Sequence, residues 1–577
     1  MREIESAGRP ANIIGIDLGT TETRVARFNE AGKPEITNNS EGYPYTPSVV
    51  LIESDGVVTS GKEAKKLVGL GCDNVFSEFR REIGGSQTWQ VNGRMITPED
   101  LSGYLLKQVM SDYVQQFGQP TAVALTWPYR FSLEQRNATK AAARSARFNK
   151  VSFVEEPIAI ALYYAAEMAC EGKYLIYDFG GGAFEATLVQ ASRNNFTILR
   201  QDGIENFCTK EFDAAILKIV SAKFSTLTGS AFDAVDCNFD RLSVESIRDA
   251  FTPKDSALIK LKLARGKSVE FSILREELER KVHKTKNYKH VEELLKILVE
   301  EKLQTIHSIG VESVETKSLE VAIKAACFSL TPRSKTSVRV VSASFGPVAI
   351  EILREEFESE TAYLISQIEA TSLYTLKSSG IPAQQAHNDI SGVLMAGELS
   401  RLPSIRNSVE KLYGKRPTSR NPEQAIAMGA AIYAARETDL KTLNSLQRRA
   451  IEDVDVVLMS PDYLGLIQTN WLTGESKNVT IIRRGEMLPF TRTFKLKSDI
   501  SGYLPSINVT QSAIEEPNPE FVTTIWKSEL QRCSANSDIN LVFDFSKNGF
   551  LSISMIDLST GESTKAELHI GSHERRP

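Results

Sequence analysis

An aspartate followed by small residues interrupts an apolar stretch twice in this chain, and the repetition limits the folds that the sequence can adopt. The first copy is IIGIDLGTTETRVA, residues 13–26, and the second is YLIYDFGGGAFEATLV, residues 174–189. Asp17 of the first copy corresponds to Asp178 of the second. Internal repeats report architecture directly, because each copy is one supersecondary unit. The sequence therefore predicts that one structural unit occurs twice.

Each copy is predicted to form a strand, a tight turn and a second strand. The segments after the turns, TRVARF and FEATLV, contain β-branched and aromatic residues that favour strands. Gly19 corresponds to Gly180, the first of three consecutive glycines that allow a ligand to approach the backbone closely. Backbone N–H groups in such a turn can converge on an anion, and a neighbouring carboxylate can bind Mg²⁺ through water. Two facing turns are therefore expected to hold a polyphosphate from both sides.

Other phosphate-binding motifs fit the sequence less well. A dinucleotide-binding turn opens a helix, whereas the segment after Gly182 is predicted to be a strand. DFG at residues 178–180 occurs without HRD or VAIK of protein kinases, and RGKS at residues 265–268 lacks the leading glycine of a P-loop. One glycine-rich hairpin is more often a plain turn than a ligand site, but two matched copies with acids favour a site.

Length and composition indicate a globular protein of several structural units. A chain of 577 residues is too long for a single core. Its hydrophobic fraction of 41% and its net charge of −5 are ordinary values, and they give no basis for a nucleic-acid partner. The six cysteines form no metal or disulfide spacing, which favours a reducing, cytoplasmic location. No leader-like or membrane-length apolar segment occurs, so no membrane partner is expected.

Five further segments, together with the two hairpins and in the same order along the chain, resemble the DnaK-like, seventy-kilodalton heat-shock chaperones of the actin-like ATPase superfamily. The resemblance covers nearly all of residues 12–570 and is carried by NSEGYPYTPSVV (39–50), TWPYRFSLEQRNATKAAARSA (126–146), VEEPIAIALYY (154–164), MAGELSRLPSIRNSVEKLYGKRP (395–417) and NPEQAIAMGAAIYAA (421–435). It implies an α/β fold with an actin-like, ribonuclease H-like duplicated, two-lobed nucleotide-binding domain over 10–436, an interdomain linker over 437–459 and a β-sandwich peptide-binding domain over 460–577.

The resemblance also implies residue roles in binding ATP or ADP. Asp17 and Asp178 would bind Mg²⁺ through water, and Glu156 would position the attacking water. The phosphates and the rest of the nucleotide would contact Gly19, Thr20, Thr21, Gly180, Gly181, Gly182, Phe328, Gly397, Arg401 and Glu423. Pro128 and Arg136 would relay the nucleotide state toward the linker. Phosphoryl transfer needs positioning and charge neutralisation more than a covalent group, so this set is chemically adequate.

Several positions depart from the family pattern. Arg80 replaces a catalytic lysine, so a planar guanidinium fork replaces a compact charge beside the water. Ala183 replaces a threonine and removes a hydroxyl from the phosphate rim. Departures on the adenosine side are more numerous and include Cys208, Thr209, Lys324, Cys327, Phe328 (which could stack on the base) and Glu398. Because the phosphate contacts are better retained, we expect nucleotide binding with slow or absent hydrolysis.

The C-terminal part is predicted to contain short strands. The apolar stretch 454–466 corresponds to the family's linker and the start of its peptide-binding domain, although the pattern alone fits a buried strand equally well. Alternating residues around Asn548 and Gly549 predict a hairpin. An extended peptide is expected to pair with a sheet edge, with Leu504 in a side-chain pocket. The chain resembles family members without a helical lid, from which a bound peptide would dissociate faster.

Residues from about 275 to 318 form an insertion relative to the family. The segment is predicted to be charged helix with a partial apolar stripe at Leu294, Leu295, Leu298 and Leu303. Its basic run at 280–290 could contact RNA, a ribosome or an acidic partner, but a solvated helical hairpin is the favoured interpretation.

Two functional hypotheses follow from the resemblance. The first is an ATP-binding chaperone, a slow Mg-dependent ATPase of the stress-response type, that binds unfolded or extended polypeptide with a J-domain co-chaperone and a nucleotide exchange factor. The second is a non-catalytic regulatory partner, similar to ribosome-associated atypical chaperones, in which the nucleotide has a structural role. A small-molecule kinase is disfavoured because the C-terminal strands would then have no purpose, although the fold alone does not exclude it.

Overall fold

A computed structural model describes most of the chain. The described residues are 11–68, 72, 74–148, 151–180, 182–193, 195–205, 207, 209–232, 248, 252, 256–262, 268–274, 277–278, 280, 291–307, 333–342, 344–452, 454–458, 460, 463–469, 476–483, 486–498, 507–512, 515, 522–527, 534–546 and 550–569.

Strands and helices alternate along the first half of the described chain. Up to residue 205 the strands are β1 (Ile13–Leu18), β2 (Glu22–Phe28), β3 (Pro34–Ile36), β4 (Thr46–Pro47), β5 (Val49–Ile52), β6 (Val58–Ser60), β7 (Val75–Ser77), β8 (Trp89–Val91), β9 (Arg94–Ile96), β10 (Ala122–Trp127), β11 (Val151–Glu155), β12 (Cys170–Phe179), β13 (Ala183–Arg193) and β14 (Asn195–Glu205). The helices there are α1 (Lys62–Lys65), α2 (Pro98–Phe117), α3 (Leu133–Ser145) and α4 (Glu156–Glu167).

The following segment contains more helix, and the last segment is mostly strand. Between residues 206 and 436 lie α5 (Thr209–Thr228), β15 (Ser256–Lys262), β16 (Ser268–Leu274), α6 (Val291–Lys302), β17 (Lys335–Ser342), β18 (Gly346–Leu353), α7 (Arg354–Glu360), α8 (Ala362–Ser378), α9 (Ala386–Asp389), β19 (Ile390–Ala396), α10 (Pro403–Tyr413) and α11 (Ala425–Arg436). After them come α12 (Ser445–Glu452), β20 (Asp455–Leu458), β21 (Tyr463–Thr469), β22 (Ser476–Ile482), β23 (Phe490–Lys497), β24 (Asn508–Ser512), β25 (Thr523–Lys527), β26 (Asp538–Phe545), β27 (Phe550–Asp557) and β28 (Ser563–His569).

The chain divides into two units, and each is described separately. The first unit comprises residues 1–204, 371–391 and 424–577, and the second comprises 205–370 and 392–423. Both units mix helices with sheets, so the protein is an α/β protein with several sheets.

The first hairpin lies in a mixed sheet of the first unit. The strand order is β11-β10-β1-β2-β3, and β4 also pairs with β2. β1 is parallel to β10 and antiparallel to β2, so the predicted strand, turn and strand are present. Every residue of β1 is buried, and Ile14, Ile16 and Leu18 share a core with residues of α2 such as Leu101 and Leu105. The central strand is buried because both of its faces are covered by packed elements.

Helix α11 packs closely against β1 and α4, and two glycines make this approach feasible. A Cβ atom on Gly15 of β1 would lie 2.1 Å from the backbone N of Ala431 in α11. A Cβ atom on Gly429 of α11 would lie 1.8 Å from the carbonyl oxygen of Ala159 in α4. Since α4 begins at Glu156, this contact also fixes the first residue of that helix.

The second hairpin lies in another sheet of the first unit. β12 and β13 are antiparallel, with Asp178 opposite Glu185, so the second copy also forms the predicted strand, turn and strand. β14 pairs in parallel with β20, Asn195 being opposite Asp455. The predicted apolar linker segment is therefore a strand from Asp455 to Leu458. The neighbouring Met459 lies outside the described residues.

Residues 463–569 form two antiparallel four-stranded sheets. Their orders are β22-β21-β24-β25 and β23-β26-β27-β28. β26 and β27 are antiparallel, with pairs from Ile539 opposite Asp557 to Phe545 opposite Leu551, which confirms the predicted hairpin, although Asn548 and Gly549 lie outside the described residues. The domain boundaries at 436 and 460 stay predictions.

A buried carboxylate organises the turns beside the second of these sheets. Asp557 accepts hydrogen bonds from the backbone N–H of Ser534 at 2.9 Å and of Ser559 at 2.8 Å, and from the hydroxyl of Ser537. These donors, led by Ser537, hold the pKa of Asp557 below its usual range. The folded structure therefore stabilises the ionised form of the Asp557 carboxylate.

Replacing Asp557 by asparagine is expected to lower the temperature of unfolding at neutral pH. Because the folded-state pKa is depressed, the stabilisation by Asp557 is present above the unfolded pKa and is lost as the pH falls toward the folded pKa. The difference between parent and variant should therefore shrink below about pH 4. Thermal unfolding from pH 2 to pH 7 checks this, with Asp538→Asn, an exposed position on β26, as the matched control. A constant difference across that range would contradict the assignment.

The second unit contains two antiparallel hairpins, β15 with β16 and β17 with β18. Helix α6 lies in the predicted insertion, and the predicted stripe Leu294, Leu295, Leu298 and Leu303 is buried. The described part of the insertion is therefore packed along one side rather than solvated all round. Most of the basic run at 280–290 lies outside the described residues.

Candidate functional site

The two hairpin aspartates lie one residue before the ends of their strands, Asp17 in β1 and Asp178 in β12. Both are buried. In the first turn a Cβ atom on Gly19 would lie 2.1 Å from the carbonyl oxygen of Glu22, so the tight turn requires glycine there. The carbonyl of Gly19 accepts a 2.7 Å hydrogen bond from the hydroxyl of Ser48, which anchors the turn. Each turn thus presents backbone beside a buried acid.

The two turns converge on one region of the first unit. A Cβ atom on Gly182 would lie 3.6 Å from the Oγ1 of Thr20, so the second turn faces the first. A Cβ atom on Gly180 would lie 3.8 Å from a carboxylate oxygen of Glu156. Thr21 lies next to Thr20 in the first turn and is half-buried. The arrangement agrees with the expectation that the repeated hairpins face each other.

Arg80 and Glu156 form a buried ion pair in the same region. Arg80 lies in the short 3₁₀ turn Phe79–Glu82, and Glu156 is the first residue of α4. The Nη2 of Arg80 and the Oε1 of Glu156 are 3.6 Å apart, and the two side chains are only 4% and 8% exposed. Burial makes this attraction stronger than that of a surface pair. The guanidinium is therefore close to the carboxylate that would position a water.

The four acids of the site carry unusual pKa values because they are buried together. Desolvation raises the pKa of Glu156 to about 8, an effect that Arg80 partly opposes and that Asp17 and Glu185 reinforce. Desolvation, followed by repulsion from Glu156, Glu185 and Asp17, raises the pKa of Asp178 well above its usual range. The pKa of Asp17 is raised by burial and lowered in part by Arg24 and Arg80. The cluster needs additional positive charge before all of its acids can ionise.

Glu185 is a fourth acid that the sequence prediction missed. It is buried on β13 opposite Asp178, and desolvation raises its pKa to about 7. The sequence did contain a signal for Glu185. Once the register of the hairpin is fixed, the acid in FEATLV lies opposite Asp178 on the neighbouring strand.

The donor set suits Mg²⁺. Asp178 has a buried Oδ1 that accepts no hydrogen bond from the described residues, and such an atom is costly unless a ligand or water satisfies it. Carboxylate oxygens are the ligands that Mg²⁺ prefers, usually with several waters retained. No group of three or more His, Cys, Asp or Glu in the described part of the chain is arranged to hold a metal directly. Binding through water by Asp17 and Asp178 stays a prediction.

Arg136 and Pro128 belong to the same unit as the hairpins. Arg136 is fully buried; it forms a 3.0 Å ion pair with Glu155 and donates a 2.9 Å hydrogen bond to the carbonyl of Phe131. Pro128 follows β10 directly and begins the turn that contains Phe131. Arg136 thus connects this turn to Glu155, the residue that directly precedes Glu156.

Among the described residues, three predicted nucleotide contacts lie in the second unit. Gly397 precedes a short 3₁₀ turn that ends at Arg401, and Arg401 pairs with Glu423. Glu398 forms a 3.0 Å ion pair with Arg248, which sequence reasoning missed because no local pattern identifies it. Gly181, Phe328 and Leu504 lie outside the described residues, so their predicted contacts stay predictions.

The chain is similar over nearly its whole length to known proteins. The profile of the family described as Hsp70 protein matches residues 13–91, 85–314 and 312–575. The chain is 25% identical over 428 residues to the chaperone protein DnaK of Thermosipho melanesiensis, which covers 73% of this chain and 59% of that protein. It is 24% identical over 583 residues to the chaperone protein DnaK of Thermus thermophilus in two strains, covering 96% of this chain and 79% of the relative. Among the described residues no helix is long and apolar enough to cross a membrane. Because the family profile covers nearly the whole chain, the protein belongs to the Hsp70 family.

Proposed function

We propose that this protein is an ATP-binding chaperone of the DnaK type that binds unfolded or extended polypeptide and hydrolyses ATP slowly. The supporting observation is the convergence of two hairpin turns on four buried acids and one buried arginine. The proposal includes an actin-like, two-lobed nucleotide-binding domain over 10–436, a linker over 437–459 and a β-sandwich over 460–577. The cysteine spacing favours a cytoplasmic location within the same proposal.

The residues of the two turns would bind the phosphates. Backbone N–H groups of the turns and the Thr20 hydroxyl would donate hydrogen bonds to phosphate oxygens, and Mg²⁺ would neutralise phosphate charge from the side of Asp17 and Asp178. Glu156 would accept a hydrogen bond from the attacking water and orient it. Its ion pair with Arg80 competes for that role, since a carboxylate held by a guanidinium is a weaker acceptor for water.

Strand β20, in the proposed linker, would couple nucleotide binding to peptide binding. β20 pairs with β14, and Arg130, from the turn after Pro128, donates a 3.2 Å hydrogen bond to the carbonyl of Gly203 on β14. A nucleotide that binds the paired and released states of β20 unequally would shift their populations. J-domain co-chaperones and exchange factors would act on this equilibrium, and an extended peptide would pair with a sheet edge of residues 460–577.

A non-catalytic regulatory partner is the second candidate. The Arg80–Glu156 ion pair and the missing hydroxyl at Ala183 favour it, because both reduce the means to activate water. Equilibrium binding of ATP beside a single-turnover hydrolysis assay separates the two. Tight binding without turnover supports the regulatory role, and peptide-stimulated turnover supports the chaperone. Absence of ATP binding would overturn both.

Replacing Arg80 by lysine is expected to accelerate single-turnover ATP hydrolysis about threefold to tenfold. The ammonium group is compact and lacks the planar fork, so it leaves Glu156 freer to orient water. A change of this size corresponds to roughly 1 kcal/mol in the barrier. The measurement is the rate of phosphate release from a preformed complex with ATP.

Arg81→Lys is the matched control for this change. Arg81 lies in the same 3₁₀ turn and pairs with Glu78 at 3.4 Å. Its replacement should leave the rate unchanged. If Arg80→Lys hydrolyses ATP no faster than the parent, the identity of this cation does not limit the chemistry.

A further inference from the structure

We propose that Phe131 is a positioning residue that fixes the orientation of the Arg80 guanidinium at the phosphate site. The inference rests on the proposed nucleotide-binding function. The Cζ atom of Arg80 lies 5.5 Å from the centre of the Phe131 ring, within the range of a cation–π interaction. The same guanidinium lies 3.6 Å from Glu156. One cation is thus bracketed by an aromatic face and a carboxylate.

The aromatic contact matters because hydrogen bonds to described residues do not fix the orientation of the Arg80 guanidinium plane. The Nε and Nη2 of Arg80 are buried and donate no hydrogen bond to any described residue. A guanidinium with five N–H donors normally has its plane set by such bonds. Here the Phe131 ring and the longer contact to Glu156 must set it. The Nε atom then remains available to donate to an oxygen of the ligand, while Nη2 faces Glu156.

Phe131 also joins this cation to the start of α4 by a second route. Its carbonyl accepts the 2.9 Å hydrogen bond from Arg136, and Arg136 pairs with Glu155 at 3.0 Å. Glu155 directly precedes Glu156, the partner of Arg80. The contacts therefore close a ring of five residues, which we name the Phe131 contact ring: Arg80, Glu156, Glu155, Arg136 and Phe131. Within it the Phe131 side chain sets one end of the Arg80–Glu156 pair, and the Phe131 backbone sets the other.

A positioning role of Phe131 can be distinguished from ordinary packing by its dependence on Arg80. If Phe131 only filled space, its loss would affect nucleotide binding equally whether or not residue 80 is charged. If it orients the guanidinium, its loss matters only while that guanidinium is present. A double-mutant cycle measures this difference directly.

The experiment measures Mg·ATP and Mg·ADP affinity of the full chain by titration calorimetry. Phe131→Leu should weaken ATP binding about threefold to thirtyfold, the range of a partly to fully desolvated cation–π contact. ADP binding should change less, because Arg80 pairs with Glu156, the residue proposed to orient the water that attacks the terminal phosphate of ATP. In the Arg80→Met background, Phe131→Leu should change ATP affinity less than about twofold. Phe131→Tyr, which keeps the ring face, should retain parental affinity.

A second cation–π pair of the same unit supplies the matched control. Arg27 lies 4.8 Å from the ring centre of Phe117, outside the two turns. Phe117→Leu should leave ATP affinity unchanged. If Phe131→Leu does not fold, the same cycle is measured with Phe131→Met, because the flexible, unbranched methionine side chain fills irregular gaps better.

The outcomes distinguish this inference from the proposed function. A parent that binds no nucleotide overturns the proposed function, and the inference falls with it. A parent that binds ATP, together with a Phe131→Leu variant that binds equally well or is weakened equally in both backgrounds, overturns the inference alone. An effect that requires Arg80 and is rescued by tyrosine supports it.

Discussion

Replacing Asp178 by asparagine should make the nucleotide-free protein more stable while lowering its affinity for Mg·ATP at least about a hundredfold. Desolvation by burial, followed by repulsion from Glu156, Glu185 and Asp17, raises the pKa of this side chain. An asparagine of the same shape removes this repulsion, and neutralising such a buried charge typically adds about 1–3 kcal/mol to the free energy of unfolding. The same change removes an anion that the proposed metal site needs. Urea unfolding and calorimetric titration measure the two effects.

The pH dependence of stability gives a second readout for this variant. Folded-state pKa values of about 8 for Glu156 and about 7 for Glu185 lie above those of the unfolded chain, so the folded protein binds more protons. Stability of the metal-free parent should therefore fall as the pH rises toward 8, and less steeply in Asp178→Asn. Asp202→Asn, which removes an acid paired with Arg200 on β14, should preserve nucleotide affinity. An Asp178→Asn variant that binds Mg·ATP like the parent would refute the assigned site.

Replacing Gly429 by alanine is expected to lower the free energy of unfolding by about 4 kcal/mol or more. If the free energy of unfolding of the parent is smaller than this, the variant should not fold. The added methyl would lie 1.8 Å from the carbonyl oxygen of Ala159 and 2.4 Å from its carbonyl carbon. These are backbone atoms of α4, so no side-chain rotation can relieve the overlap. Displacing α4 would also move Glu156. The midpoint of urea unfolding and the yield of soluble protein measure the loss.

Gly103→Ala in α2 is the matched control, since it adds the same atom to another buried helical glycine. Its Cβ would meet the Oγ of Ser145 at 2.0 Å, with the nearest backbone atom, the carbonyl oxygen of Ala142, at 3.4 Å. A hydroxyl can rotate away, and alanine favours the helix by about 1 kcal/mol over glycine. The variant should therefore stay within about 1 kcal/mol of the parent. Equal stability of Gly429→Ala and the parent would show that α11 and α4 can separate without cost.

The parts of the site that follow from local patterns were predictable from the sequence. Strand propensity and a run of small residues predict each hairpin, and the turn places Asp17 or Asp178 at its rim. The repeat then predicts that the two turns act together. The position of Glu185 also follows, once the two strands are paired in register.

Contacts between distant segments were not predictable in the same way. The stacking of Arg80 on Phe131, and the pairing of Arg248 with Glu398, depend on how separate elements pack rather than on any local period. The burial of the α6 leucines illustrates the same limit, because an amphipathic stripe shows which side is apolar but not whether a neighbour covers it.

The closeness of α11 to β1 has a consequence for synthesis. The helix whose backbone fits against Gly15 of β1 is translated about 400 residues after that strand, a delay of roughly 20 to 80 s at ordinary elongation rates. During that interval one face of a largely apolar strand lacks its native cover. The nascent chain is itself an unfolded, aggregation-prone polypeptide for that time, and it would benefit from the kind of holdase protection that the finished protein is proposed to give to others.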